Sequence, residues 1–303
     1  MRRASLALVL ALALCACGLD LGPVNGWVDA ETVAPPLAFE GVAPRGMASV
    51  PMQTPVTLRV VTFNVMTGAD PAALADQIRA NAAIRNAGVY LLQEEEAYPG
   101  EGMSRTRRLA DALDLGYAYI PGRTKGDGTH GLAILSRFPI EDVQVMNLRR
   151  TGKTPTSNQR IAIHAALIVG DVRLPIVNVH LETTLNIRDR ILQLRPAVID
   201  LPPVALVAGD FNTNPYLWEE GTVPVLPTST IASTDQAPLL DDYMRGIGFA
   251  TPAAEAGPTE EKYGVSSRLD AIYTRGVEVA PARVERDVAG SDHWPVWCDI
   301  TLP

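Results

Sequence analysis

Short β-rich runs alternate with amphipathic stretches along most of the chain, and they do not recur at any fixed period. Val56 to Asn64 reads as a strand and Val89 to Gln93 as another. Between them Pro71 to Asn86 reads as a helix, with Pro71 in its first turn and Leu74, Ile78 and Ala82 four apart. Further strands are predicted at Gly131 to Ser136, Val143 to Leu148, Arg160 to Val169, Leu174 to His180, Val204 to Asp210, Arg268 to Thr274 and Trp294 to Leu302, with helices at Asn186 to Ile199 and Pro238 to Gly246. Gly170 and Asp171 join two strands as a meander, whereas the earlier segments look like crossover units. Strands of both kinds predict one mixed α/β (α+β) domain over residues 56–303, with packed sheets and helices outside.

The N-terminal segment departs from this pattern. Arg2 and Arg3 precede an apolar run from Leu6 to Leu14 and then small residues, the layout of an export signal over residues 1–16. That run is shorter than the roughly 20 apolar residues a bilayer span needs. Leu14, Cys15, Ala16 and Cys17 resemble a bacterial lipobox, in which a peptidase cuts before a cysteine that carries a diacylglycerol. Cys17 is the better acceptor, because cleavage before it leaves small Ala16 at the cut, whereas cleavage before Cys15 would leave Leu14. Gly18 rather than Asp after the cysteine resembles Gram-negative lipoproteins sent to the outer membrane, which makes the expected location extracytoplasmic and lipid-anchored. Residues 17–55, rich in Pro, Gly and Ala, read as a tether that could reach on the order of 100 Å when extended; the alternative is an ordered arm wrapping the domain.

Composition narrows the function classes. The 303 residues are 47% apolar and 20% charged, which fits neither a disordered chain nor a membrane bundle. The formal charge of −8 gives no long-range attraction to nucleic acid or anionic lipid, although a bound cation could dominate a local site. Of three cysteines only Cys298 lies in the body, so no disulfide framework exists there, and its apolar surroundings predict a small buried hydrophobe.

Polar, metal-competent residues recur where apolar strands end: Asn64 after VVTF, Glu94 after YLLQ, His180 after IVNV, and Asp210 with Asn212 after VALVAG. In layered α/β folds the strand ends form a rim on which side chains distant in sequence converge. Singly, such residues are turn, cap or surface groups; together they define a candidate site. Arg105, Arg107, Arg108, Arg123, Lys125, Arg149, Arg150 and Lys153 fall in or near segments that read as loops or strand starts; some could bind flanking phosphates, and most are expected as solvated surface charge. Arg160 opens a strand on the candidate side and is the one basic residue promoted to a phosphate contact.

The ordered set TFNV, LLQE, GLAILSRFPI, VNVHLE, GDFN, RLDAIY and SDHWPV, from about Thr62 to Val296, resembles the endonuclease/exonuclease/phosphatase family, the fold of pancreatic deoxyribonuclease. The resemblance implies a four-layer αββα sandwich: two mixed β-sheets packed face to face with helices outside. It also implies a metal-dependent hydrolase of phosphodiesters or phosphomonoesters, using Mg²⁺ or Mn²⁺, with Ca²⁺ a further candidate. Glu94 is then the main metal carboxylate, with Asn64 completing the shell and Asp292 a further carboxylate. His293 oriented by Asp270, or Asp210, is the base; Asn212 donates to a phosphoryl oxygen; His180 contacts the phosphate or protonates the leaving oxygen. Substrates in the family include nucleic acids, sphingomyelin and inositol phosphates, and His180 tilts the expectation towards a nuclease or general phosphodiesterase. Against that stands the lack of an evident basic and aromatic nucleic-acid track. The enzyme is expected as a monomer. A catalytically inactive binding lipoprotein is the alternative, but such a descendant would be expected to lose at least one of Glu94, Asp210, Asn212, Asp292 and His293, and all five are present.

Overall fold

The computed structural model describes residues 55–151, 158–219, 222–223 and 231–302, together with two short strands at 27–28 and 40–42. The leader, Cys15, Cys17 and Lys153 lie outside the described residues, as does most of the tether. In chain order the elements are β1 (Trp27–Val28), β2 (Glu40–Val42), β3 (Val56–Asn64), α1 (Pro71–Ala80), β4 (Val89–Ala97), α2 (Arg105–Leu113), β5 (Gly116–Lys125), β6 (Gly128–Ser136), β7 (Ile140–Asn147), β8 (Arg150–Thr151), β9 (Ile161–Val169), β10 (Val172–His180) and α3 (Ile187–Val198). There follow β11 (Ala205–Asp210), α4 (Gln236–Gly246), β12 (Glu260–Lys262), β13 (Val265–Ser267), β14 (Asp270–Arg275), β15 (Glu278–Val279), β16 (Arg283–Val284) and β17 (Val296–Leu302).

Two mixed sheets carry the fold. The larger runs β15-β17-β3-β4-β6-β5-β2, with β16 also pairing β17, and the smaller runs β14-β11-β10-β9-β7. Within each sheet one pair is parallel, β3 with β4 and β10 with β11, so Asn64, the end of β4, His180 and Asp210 all finish at carboxyl ends of strands. Alternate residues serve opposite faces: Val60 and Leu91 join the core between the sheets, whereas Val61 and Leu92 join the layer under α1 and α2. On the other side α3 and α4 complete the fourth layer, and Tyr273 Oη donates to Asp241 of α4 at 2.9 Å. Between the sheets Gln93 Nε2 donates to Asn178 Oδ1 at 2.8 Å, and Asn178 Nδ2 donates to the carbonyls of Leu92 and Ala133, both at 2.9 Å. This fully buried amide pair fixes how the two strand-end rows face each other.

Several elements differ from the sequence expectation for local reasons. The first helix ends at Ala80 rather than Asn86, because Asn81 turns extended and its Oδ1 accepts the N–H groups of Ala83 and Ile84. Helix α2 lies where a basic loop was expected. Ser104 caps it by accepting from Arg107 N at 3.1 Å, and Thr106, Leu109 and Ala110 bury one face while the arginines occupy the others. Strand β5, also unforeseen, holds Pro121 and Gly122 at a break in register against β6, where a proline costs no ladder bond. Within the expected tether, β2 pairs with β5 at the edge of the larger sheet and β1 pairs with β8. Cys298 is fully buried, as its apolar run predicts.

Candidate active site

The strand-end residues meet on one rim between the sheets. Asp210, at the end of β11, is the centre: its Oδ2 accepts from Asn64 Nδ2 at 3.0 Å, lies 3.3 Å from His180 Nε2 and stands 4.0 Å from His293 Nε2. Its Oδ1 accepts the backbone N–H of Asn212 at 2.8 Å. Asn212 reaches this position with φ at 52°, a left-handed conformation asparagine tolerates, and its Nδ2 donates to Leu181 O at 2.9 Å. Burial, and then the charge of Asp270, push the Asp210 carboxyl above the ordinary carboxylate range, against the opposing pull of His293 and the two donors.

Asp270 opens β14 and is wholly buried. Its Oδ2 is 2.8 Å from His293 Nδ1, while its Oδ1 is buried without a hydrogen-bond partner. Burial alone would lower the His293 pKa, but the carboxylates of Asp270 and Asp210 raise it to about 10. The loop carrying His293 is tied down by Ser291, whose Oγ donates to Asn64 O at 2.7 Å and accepts from His293 N at 3.1 Å. Thr259 Oγ1 accepts from the backbone N–H of both Leu269 and Asp270, fixing the start of β14.

Glu94 faces this cluster from the larger sheet. It is the extra residue of a bulge, since Gln93 pairs with Leu132 and Glu95 with Gly131, and its φ of 63° is strained for a side chain of this kind. The carboxylate is 29% exposed. Its oxygens stand 4.0 Å from His130 Nε2 and 4.0 Å from His180 Nε2, beyond hydrogen-bond length. Burial would raise its pKa, yet His130, His180 and Arg160 together hold it well below the usual range. Burial first, and Arg160 second, keep His180 well below the ordinary histidine range.

The structure gives several of the expected residues partners within the protein. Asn64 was expected to complete a metal shell; its Nδ2 holds Asp210 and its Oδ1 accepts from Met66 N at 3.0 Å. Asp292 was expected as a further ligand, but its Oδ2 is engaged by Lys262 Nζ at 2.9 Å, because β12 brings that lysine alongside. One Asn212 donor is engaged by Leu181, and His180 Nε2 stands 3.3 Å from Asp210 Oδ2. Arg160 lies at the rim with Glu182 Oε2 3.4 Å from its Nε. His130, Ser291 and Thr259 were not foreseen from the sequence. The missed signal for His130 was its position directly before GLAILS: of the four histidines in the chain, three meet at this rim.

Hard oxygen donors predominate, as a small divalent cation prefers. Asp210, Asp270 and His293 offer ligand atoms all within 4.8 Å of one another, a grouping that could hold an ion. One atom of each dyad partner is already committed to the other at 2.8 Å, whereas Glu94 keeps both oxygens beyond hydrogen-bond length of its histidines. Glu94 therefore fits a metal ligand best.

The description "Endonuclease/Exonuclease/phosphatase family" belongs to the family that matches residues 61–293. Among solved structures, humanized D. rerio TDP2 is 19% identical with a TM-score of 0.54, covering 81% of this chain and 99% of that one. The endonuclease domain of TRAS1, a telomere-specific non-LTR retrotransposon, is 18% identical with a TM-score of 0.51, covering 81% and 98%. A family protein from Bacteroides thetaiotaomicron is 16% identical with a TM-score of 0.55, covering 83% and 100%. At these identities the likeness shows the fold. No curated protein matches the chain.

Proposed function

Because the chain belongs to the endonuclease/exonuclease/phosphatase family, we propose that it is a phosphoric ester hydrolase of phosphodiesterase or nuclease type, dependent on a divalent metal ion. The observation that carries this reading is the buried Asp210–His293–Asp270 cluster facing the carboxylate of Glu94, whose oxygens stand 4.0 Å from His130 and His180. Members of this family commonly use divalent metals. Glu94 would hold the ion, and the ion would supply positive charge to the phosphoryl oxygens.

The remaining work falls to side chains. Asp210, whose raised pKa suits proton transfer near neutrality, takes the proton of the attacking water. As the water oxygen bonds to phosphorus the ester P–O bond breaks, and the leaving oxygen takes up a proton. His293, kept charged by Asp270, steadies the growing phosphoryl charge and gives the leaving oxygen its proton. Asn64 and the backbone N–H of Asn212 keep Asp210 aimed.

Mg²⁺-dependent hydrolysis of bis-p-nitrophenyl phosphate, abolished by EDTA and by Asp210→Asn, is the expected result. Wild-type protein without metal-stimulated turnover would instead favour a binding lipoprotein. Plasmid DNA, RNA, sphingomyelin and inositol phosphates assayed side by side resolve the substrate. The proposal extends to location: residues 1–16 direct export, and Cys17 carries the lipid on a tether that frees the domain from the membrane surface. Palmitate should label the wild type and not Cys17→Ser, and label surviving in the variant would reject the anchor.

A further inference from the structure

Arg123, expected as surface charge, stands instead just after the break in β5, directly opposite His130 of β6. Opposed residues of an antiparallel pair project on one face with Cβ atoms about 5 Å apart. Arg123 therefore emerges beside the imidazole that stands 4.0 Å from Glu94. The two irregularities are related. Strands β4 and β5 both shift register beside Gly131, one at Glu94 and the other at Gly122, so the same short stretch of β6 aims both Glu94 and Arg123 at the rim. A Cβ at Gly131 would lie 1.9 Å from Ile120 O, which reserves the position for glycine.

The guanidinium is half-buried and has no hydrogen-bond or ion-pair partner among the described residues. Three carboxylates lie close enough to act on it, and each has another task. Glu96 is held by Arg105 at 3.0 Å and by Lys125; Glu182 accepts from Arg160 and from the backbone N–H of Asn158 and Thr183; Glu94 is the metal candidate. Burial and the like charge of Arg160 both work against the Arg123 cation. A Cβ at Gly122 would lie 3.2 Å from the Ile161 side chain, so the break that carries Arg123 packs against the residue next to Arg160. Two arginines brought together in this way, one of them without its own counter-ion, are unfavourable until an anion joins them, and guanidinium groups match phosphate oxygens in geometry.

We propose that Arg123 and Arg160 form a second anion subsite on the Glu94 side of the rim, which selects esters carrying a further phosphate next to the one cleaved. This rests on the phosphoesterase reading and narrows it. Oligonucleotides with a neighbouring phosphate and inositol polyphosphates share the required chemistry, whereas the quaternary ammonium of a phosphocholine lipid would meet two cations.

The test compares substrates that differ by one phosphate, each with Mg²⁺: TpT with pTpT, and inositol 4-phosphate with inositol 1,4-bisphosphate. In whichever pair is turned over, the second phosphate should raise kcat/KM at least tenfold, and Arg123→Gln should lower that two-phosphate to one-phosphate ratio at least tenfold. The ratio is taken within one protein, so a misfolded fraction cancels. The pair that responds identifies the source of the anion. A wild-type ratio near one, or a ratio unchanged by Arg123→Gln, would overturn the subsite. Binding gives a readout free of turnover: in metal-free buffer, inorganic pyrophosphate should raise the wild-type Tm more than inorganic phosphate does, and Arg123→Gln should erase that difference. If bis-p-nitrophenyl phosphate is not hydrolysed, the hydrolase reading fails, while the pyrophosphate comparison still decides for or against the subsite.

Discussion

On the β14 side of the rim, Asp270 and His293 are joined at 2.8 Å, both nearly inaccessible, and secured by Thr259 and Ser291. On the β4 side, Glu94 sits in a strained bulge, partly open, with its oxygens 4.0 Å from two histidines. One half is complete as folded; the other is built around acceptors left for a ligand. Under the proposed hydrolase reading, preorganisation on the β14 side serves proton handling, because a dyad must hold one geometry through the reaction. A carboxylate that will meet a metal ion must instead keep its lone pairs unspent.

The strongest way to break this contrast is to dismantle the finished half. His293→Ala and Asp270→Ala should each cost on the order of 10² to 10⁴ in kcat, and the double variant should lose little more than the worse single one. Losses that multiply would mean that the two act independently. If Asp270 only caps the start of β14, its removal lowers Tm while the folded fraction keeps its turnover, so stability and kcat are measured on the same proteins.

Glu94→Gln attacks the other half. It keeps the shape and removes the charge, so the apparent Mg²⁺ affinity should fall by roughly one to two orders of magnitude, with a smaller change in kcat at saturating metal. An unchanged Mg²⁺ titration would move the metal to the Asp210, Asp270 and His293 grouping.

Gly131→Ala probes the scaffold of the open half alone. With Ile120 O at 1.9 Å from the new Cβ, β5 must shift, at a cost of about 1–3 kcal/mol and a weaker Mg²⁺ response, while the dyad across the rim is left in place. Equal damage to metal affinity and to the pH profile of the dyad would show that the halves are not separate.

The smallest effect is also the most diagnostic, because the halves should titrate in opposite senses. His293 is raised from 6.5 to about 10, so its contribution to stability is complete below pH 6.5 and is lost as pH rises through about 10. Glu94 is lowered from 4.5, so its contribution is present above pH 4.5 and is lost as pH falls. Tm measured against pH should therefore show a loss of a few degrees between pH 6.5 and about 10 that His293→Gln removes, and a separate acid-side loss below pH 4.5 that Glu94→Gln removes. A single shared transition would contradict the division.

Much of the finished half is legible in the sequence, since Asp210 and His293 stand in short, distinctive contexts and the strand before Asp210 is an unbroken apolar run. The open half is harder to read. Its aim depends on irregularities in β4 and β5, and a sequence shows strand character without showing which residue is extra. Pro121 and Gly122 mark a break in β5 that no periodicity announces, and the arginines of α2 hide a buried face of only Thr106, Leu109 and Ala110. His130, a lone histidine in an ordinary strand, gains meaning only from what stands across from it.

The last strand, β17, lies between β15 and β3, pairing Leu302 with Val56 and Val296 with Thr62. Ser291 ties the approach to that strand onto Asn64, 227 positions earlier. During synthesis, then, β3 waits for its neighbour until almost the whole domain has left the ribosome, and His293 cannot reach Asp270 before that moment. A stop codon at position 290 would remove the partner of Asp270 and the strand that stands between β15 and β3 in a single stroke.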